Sequence, residues 1–140
     1  MVNDLAEELR PVVMKLSREL RREVRSLGVT GGQVSLLFAV KRAPGLGVRE
    51  LAAQERMSPA GMSGHVSRLV KLGLLRRESD PADARRHGLH LTEEGARILR
   101  LVKSRRTAWL AARLQALPEA DREAVRLAVA PLARLLEAES

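Results

Sequence analysis

The sequence predicts a mainly helical fold with one small β-hairpin, and three observations support this prediction. Apolar residues recur at steps of three and four over most of the 140 residues, which is the spacing of amphipathic helices. With one Trp, one Phe and no Tyr, aliphatic side chains must build the core, as they do where helices pack on helices. Two short extended runs around a polar stretch, residues 74–78 and 88–91, predict the strands of the hairpin.

The composition sets limits on domain number, partners and location. The length suits a single domain over residues 1–140. A net charge of +8 points to a polyanionic partner, although a merely basic surface would give the same excess. The absence of Cys excludes disulfides, thiolate catalysis and Cys-ligated zinc sites. No apolar run is long enough to cross a membrane, and residues 1–10 lack the positive start and apolar run of a signal peptide, so we expect a cytoplasmic protein without a membrane partner.

The first predicted element is a long helix over residues 4–27, which Gly28 ends. Pro11 either kinks this helix or marks the start of its regular part. The opposite face carries a basic stripe, which we interpret as a solvated face or as the rim of a ligand region: Arg18, Arg21, Arg22 and Arg25.

The next three helices are short. Thr30 begins the second helix, and Gln33 follows at capping-box spacing. A third helix over residues 48–54 and a tight connection lead to a fourth helix, which Ser58 caps, Pro59 opens and Gly73 ends. Two such helices joined by a short turn form a helix-turn-helix unit.

A polar segment over residues 79–87, with Asp80 and Pro81 as a turn signal, is predicted to join the two strands and to hold Arg85 and Arg86. Asp83 lies two residues before Arg85, and we expect its carboxylate to bind the Arg85 guanidinium and to shape the loop. Arg76 and Arg77 occupy successive strand positions and therefore point to opposite faces.

Two helices complete the chain. Thr92 caps the first of them, Pro118 breaks it, and Asp121 starts the last helix, which we expect to bend at Pro131. The apolar stripes of residues 5–27 and 125–136 exceed what one chain can cover, which predicts a homodimer.

This element order is that of a winged helix-turn-helix, in which the second helix of the unit enters the major groove of DNA. The candidate residues of the recognition helix are Ser58, Pro59, Ala60, Gly61, Ser63, Gly64, His65, Ser67 and Arg68. Arginines of the hairpin, or wing, are suited to the narrow minor groove of A·T-rich DNA. The candidate residues of the wing are Arg76, Arg77, Asp83, Arg85 and Arg86.

Residues 30–95 resemble the MarR family of bacterial repressors. The matching segments are residues 29–30 with Gln33, residues 48–52, 57–59, 73–77, 80–86 and 91–95, together with Val66, Arg68 and Leu69. The chain departs from the family pattern at Gly64, where a basic residue is common, and at Ala84, where an Arg usually stands beside the wing aspartate.

The resemblance implies a homodimer whose N- and C-terminal helices, residues 1–28 and 96–140, interlock, with residues 30–95 forming the DNA-binding lobe. It further implies a repressor that binds a palindromic operator in double-stranded DNA and that a small aromatic or phenolic effector releases. Candidate residues of the effector pocket are Gln33, Phe38 and Trp109. We expect no cofactor.

Three alternatives remain open at this point. A sequence-indifferent architectural DNA-binding protein could use the same fold. A metal-responsive regulator could use His65, His87 and His90, but His87 and His90 lie three apart on a strand and are expected to face opposite ways, so we predict no metal site. An enzyme is the least favoured alternative, since no nucleophile–base pair and no phosphate-binding loop is present.

Overall fold

The computed structural model describes residues 1–137 except for the side chain of Ala84; residues 138–140, at the end of the predicted dimerisation segment, lie outside the described residues. The chain divides into two compact units, Met1–Arg106 and Thr107–Ser140. The elements are α1 (Val2–Arg22), α2 (Gly31–Arg42), α3 (Val48–Gln54), α4 (Pro59–Lys71), β1 (Leu75–Asp80), β2 (Asp83–Leu91), α5 (Glu93–Gln115) and α6 (Glu119–Glu137). The predicted class, mainly helical with a two-stranded antiparallel hairpin, is confirmed.

Helix α1 ends at Arg22, earlier than the sequence predicts, and a 3-10 turn over Arg25–Leu27 follows it. Between the two, Val24 is fully buried in the core. Gly28 ends the turn with a φ of 81°, a conformation that glycine adopts without strain. The helix continues on both sides of Pro11, so the alternative in which its regular part begins near that residue is wrong.

Side-chain caps fix where α2 and α4 begin. The Thr30 hydroxyl accepts a hydrogen bond from the Gln33 backbone N–H at 3.1 Å, and the Gln33 amide oxygen accepts one from the Thr30 backbone N–H at 2.9 Å. This is the predicted capping box. The Ser58 hydroxyl accepts from the Gly61 backbone N–H at 3.0 Å, and Pro59 occupies the first helical position, where a backbone N–H is not needed.

The core of the first unit is aliphatic, as the composition predicts. Helix α4 contributes Met62, Val66 and Leu69, which recur at helical spacing and are fully buried. They join a single cluster with fully buried side chains of the other elements, which include Leu37, Val40, Leu51, Leu75, Leu89 and Val102. Since these residues occupy one face of α4, the opposite face is left to solvent.

The hairpin is longer and its turn is tighter than predicted. The strands pair in register from Leu75↔Leu91 to Ser79↔His87 and again at Asp80↔Asp83, so the connecting segment predicted over residues 79–87 is too long. The Asp80 carboxylate accepts a hydrogen bond from the Ala82 backbone N–H at 2.9 Å, which closes the turn locally. Residues 84–86 of β2 form a bulge between the two paired stretches.

Close backbone contacts hold the base of the hairpin against the α2–α3 connection. The Gly45 backbone N–H donates to the Leu89 carbonyl, and the Leu89 N–H donates to the Leu46 carbonyl, both at 2.9 Å. A Cβ atom on Gly88 would lie 2.7 Å from the Gly45 carbonyl oxygen, so this approach requires glycine. The base of the wing is therefore fixed to the helical part of the unit.

The second unit contains the end of α5 and helix α6. Arg122 joins them, because its guanidinium donates to the Leu114 carbonyl at 3.1 Å and to the Leu117 carbonyl at 3.0 Å. Helix α6 begins at Glu119, directly after Pro118 and before the predicted start at Asp121. Pro131 lies inside the helix.

Candidate nucleic-acid interface

The N-terminal half of α4 presents small side chains on its exposed face. All the predicted recognition-helix residues, Ser58, Pro59, Ala60, Gly61, Ser63, Gly64, His65, Ser67 and Arg68, are exposed. The space around Gly64 is open, with no heavy atom within 4 Å of the position where a Cβ would lie. An exposed helix surface of this kind allows close approach of a ligand to the backbone, and its N-terminal N–H groups favour a negatively charged one.

Arg77 connects the wing to this surface. Its guanidinium, on β1, donates a hydrogen bond to the Ser67 hydroxyl on α4 at 3.2 Å. Arg76 points to the other face, where it pairs with Glu78, whose second carboxylate oxygen lies 3.3 Å from His90 Nε2. The two neighbouring arginines therefore have different surroundings, as the alternation of a strand predicts.

The tip of the wing brings Asp83, Arg85 and Arg86 together with α3. The Asp83 carboxylate accepts a hydrogen bond from the Arg85 backbone N–H at 3.0 Å, so the predicted residue pair is in contact but the predicted guanidinium contact is wrong. The aspartate reaches the nearer backbone group and leaves the Arg85 side chain exposed. The Arg86 guanidinium pairs with the Glu50 carboxylate in the first turn of α3.

A cavity of about 420 Å³ lies between the wing and the start of α3. His87 and His90 both contribute to its lining. Within the described residues, no group of three or more His, Asp or Glu side chains could hold a metal ion.

A second cavity, of about 540 Å³, lies between α1 and α2, with Arg106 of α5 on its wall. Apolar and basic side chains line it together: Val13, Leu16, Leu20, Val34, Phe38, Arg21, Arg42 and Arg106. Arg106 Nε donates to the Leu20 carbonyl at 3.1 Å. Burial lowers the pKa of Arg106, and the nearby charge of Arg21 lowers it further, so an anion in this cavity would relieve a local excess of positive charge.

The three residues predicted for an effector pocket do not share one cavity. Phe38 lines the α1–α2 cavity, whereas Gln33 lines a different one and uses its side chain in the capping box. Trp109 belongs to the second unit, where the Arg113 guanidinium lies 4.8 Å from the centre of its ring. Arg42 and Arg106 were not predicted for this cavity, whereas Arg21 belongs to the basic stripe of α1, for which the rim of a ligand region was one of the two interpretations.

The family comparisons agree with this arrangement. Residues 27–86 match the model of the MarR family. A helix-turn-helix transcriptional regulator of Mycobacterium bovis is 32% identical over 124 residues, which cover 89% of this chain and 87% of that protein. The chain belongs to the MarR family.

Two further relatives match most of the chain. A transcriptional regulator protein of Pseudomonas aeruginosa, known from its crystal structure, is 33% identical, with a TM-score of 0.83 over 95% of this chain and 94% of that one. A transcriptional repressor of Bacillus subtilis is 27% identical over 86% of this chain and 78% of its own length. The α2–β2 segment of the MarR chain is thus a winged helix-turn-helix.

Membership in the MarR family sets the class of function. The chain is a DNA-binding transcription regulator, as its relatives are, and its family consists of regulators rather than enzymes. Among the described helices, none combines the length and the apolar character that crossing a bilayer requires.

Proposed function

We propose that this MarR protein is a homodimeric repressor that binds a palindromic operator and releases it when a small aromatic anion binds. The observation that carries the DNA-binding part is the contact of Arg77 with Ser67, because it places a wing arginine beside the exposed face of α4. The name of the Bacillus subtilis relative, a transcriptional repressor, supports repression over activation.

In the proposed complex, α4 enters the major groove by its N-terminal half. The small residues at 58–61 let the first turn of the helix come close to DNA, and His65, Ser67 and Arg68 follow on the exposed face. Arg68 is suited to guanine or to a phosphate, because its guanidinium offers a fork of donors. We assign Ser67 to positioning Arg77 through their hydrogen bond rather than to a separate contact with DNA.

The wing arginines then have separate roles. Arg85 is exposed at the tip, and the Asp83 carboxylate fixes the backbone that carries it, so we assign Arg85 to the minor groove. Arg77 lies beside α4 and is assigned to a phosphate. Arg76 is held by Glu78 on the other face and is assigned a structural role.

A second copy of the chain is the proposed partner of the terminal helices. Over Val2–Arg22 and over Glu119–Glu137, no side chain is buried. Large apolar residues are nevertheless exposed on both helices: Leu5, Val12, Val13, Leu16, Val125, Val129, Leu132 and Leu135. Such an apolar surface is typical of an obligate interface, so we assign residues 1–28 and 96–140 to dimerisation and residues 30–95 to DNA binding.

The α1–α2 cavity is the proposed effector site. Its apolar floor with Phe38 suits an aromatic ring, and Arg21, Arg42 and Arg106 suit a carboxylate or phenolate. Because this cavity borders α1, which we assign to the dimer, and α2 of the DNA-binding lobe, a ligand there is placed to alter the position of one relative to the other. Gln33 and Trp109 are not needed for this site.

Selection of bound sequences from a random duplex pool, repeated with and without benzoate as a probe, tests the proposal. We expect an inverted repeat whose half-sites lie about 34 Å apart, one helical turn, because each lobe would contact one half-site. We expect benzoate to reduce recovery of that sequence. Recovery of no preferred sequence would favour an architectural DNA-binding protein instead.

A further inference from the structure

The two adjacent arginines at the wing tip differ in what holds them. The Asp83 carboxylate binds the backbone of Arg85 and leaves its guanidinium exposed, whereas the Arg86 guanidinium pairs with Glu50 on α3. Sequence reasoning assigned both arginines to DNA. Among the described residues, no carboxylate of another element pairs with Arg85, whereas Glu50 pairs with Arg86.

The pair between Arg86 and Glu50 is an exposed one. The two side chains are 68% and 46% exposed, so water screens their attraction and the pair can open at low cost. Arg86 also belongs to the bulge of β2, where the register with β1 is interrupted. A strand segment outside the regular ladder can shift its side chains without breaking backbone pairing.

Glu50 resembles a DNA phosphate in the way it offers oxygen atoms to an arginine fork. While Arg86 is bound to Glu50, the pair has no net charge and contributes little attraction to DNA. If Arg86 exchanges Glu50 for a phosphate, an unpaired carboxylate remains beside a polyanion. Through both effects Glu50 weakens DNA binding, and neither effect depends on the sequence of the duplex.

We propose that Glu50 is an internal competitor of DNA phosphate for Arg86, so that the free protein restrains one wing arginine and its DNA affinity is lower than its arginine content allows. This inference rests on the proposed placement of the wing against DNA. It assigns Glu50 a part in setting affinity, and it separates the role of Arg86 from that of Arg85.

The test is a double-mutant cycle on the full-length protein with Glu50→Gln, Arg86→Gln and the double variant. Affinity is measured over a salt series by fluorescence anisotropy on a random-sequence duplex long enough for two half-sites. Glu94→Gln is the matched control, since Glu94 is also paired with an arginine, Arg97, in the same unit. It removes the same charge without touching the wing.

We expect Glu50→Gln to tighten binding roughly two- to fivefold, the range that loss of one exposed ion pair allows. The dependence of log affinity on log salt should steepen by about 1.8, because each of the two wings of the dimer gains one phosphate contact at about 0.9 each. Arg86→Gln should weaken binding less in the unchanged protein, where Glu50 already restrains the arginine, than in the Glu50→Gln background, where it should abolish the gain. Glu94→Gln should change the salt dependence much less.

Unchanged or weaker binding by Glu50→Gln would overturn the inference alone, provided that the unchanged protein binds the duplex. An equal effect of Arg86→Gln in both backgrounds would do the same, because it would show that Glu50 does not restrain Arg86. If the unchanged protein does not bind the duplex at low salt, the proposed function fails and the inference fails with it.

Discussion

The Arg77 guanidinium on the wing donates a hydrogen bond to the Ser67 hydroxyl on α4 at 3.2 Å, although the two residues belong to different elements. The contact orients an arginine along the exposed face of the proposed recognition helix. Because Ser67 is itself exposed, the stability of the fold does not depend on this hydrogen bond. The hydrogen bond instead fixes the position of the Arg77 guanidinium on the exposed surface.

Replacing Arg77 by Ala should weaken binding to operator and random duplexes by similar factors and should reduce the salt dependence by about 1.8, because each of the two wings of the dimer loses one phosphate contact at about 0.9 each. Ser67→Ala should reduce DNA affinity by a smaller factor. If Ser67 acts through Arg77, Ser67→Ala should cause no further loss of affinity in the Arg77→Ala background. Arg76→Ala is the control, since Arg76 is held by Glu78. A larger loss for Arg76→Ala than for Arg77→Ala would reverse the assignment of the two.

Replacing Arg85 by Ala should lower affinity most for duplexes whose flanks are A·T-rich. The narrow minor groove of such DNA concentrates negative potential, and the exposed Arg85 side chain is the one placed to use it. The measurement compares the two proteins on operators with A·T-rich and G·C-rich flanks. An equal loss on both would indicate a phosphate contact, and no loss would remove Arg85 from the interface.

Replacing Gly64 by Lys should strengthen DNA binding. The position is exposed with open space around it, so a side chain fits, and a lysine there would add one phosphate contact. Gly64→Ala separates the effect of added charge from that of higher helix stability, because it raises helix stability by about 0.5–1 kcal/mol without adding charge. If both variants bind DNA alike, residue 64 does not face the duplex.

Gly95→Ala should destabilise the protein by roughly 1–3 kcal/mol, the usual cost of forcing extra atoms into a packed site. A Cβ atom on Gly95, in the first turn of α5, would overlap the Leu74 carbonyl oxygen. Thermal or denaturant unfolding measures the change. Gly64→Ala again serves as the control, and a Gly95→Ala protein as stable as the parent would show that the two segments can separate freely.

Replacing Arg106 by Met should remove the response to benzoate while leaving operator affinity close to that of the parent. Arg106 lines the proposed effector cavity, and burial with the nearby Arg21 charge lowers its pKa, so an anion should gain from its presence. Calorimetric titration of benzoate into each protein gives the affinity. If the parent and the Arg106→Met protein bind benzoate with equal affinity, the anion binds at another site.

Local signals in the sequence predicted much of the fold. The caps of α2 and α4 depend on residues three apart, and the buried face of α4 on the spacing of Met62, Val66 and Leu69, so both could be predicted without tertiary information. The turn signal at Asp80 and Pro81 was read correctly, but the extent of the strands was missed, because polar residues that form hydrogen bonds within a hairpin are not distinguished by composition from a loop.

The candidate site was less predictable because its decisive contacts join distant parts of the chain. Arg86 meets Glu50, and Arg106 meets the Leu20 carbonyl, and neither pair has a spacing that sequence periodicity can detect. The recognition-helix residues could be proposed from the sequence because they lie on one helix, and their role stays a prediction. The partners of the arginines required the fold to be known.

The most direct test of the central claim is the ratio of affinities for the selected operator and for a random duplex of equal length, measured at one salt concentration. If α4 contacts base edges in a dimer, we expect a ratio of about 10³ or more, with two chains bound per operator. A ratio near one, or a single chain per duplex, would contradict the claim that paired recognition helices bind a specific DNA sequence.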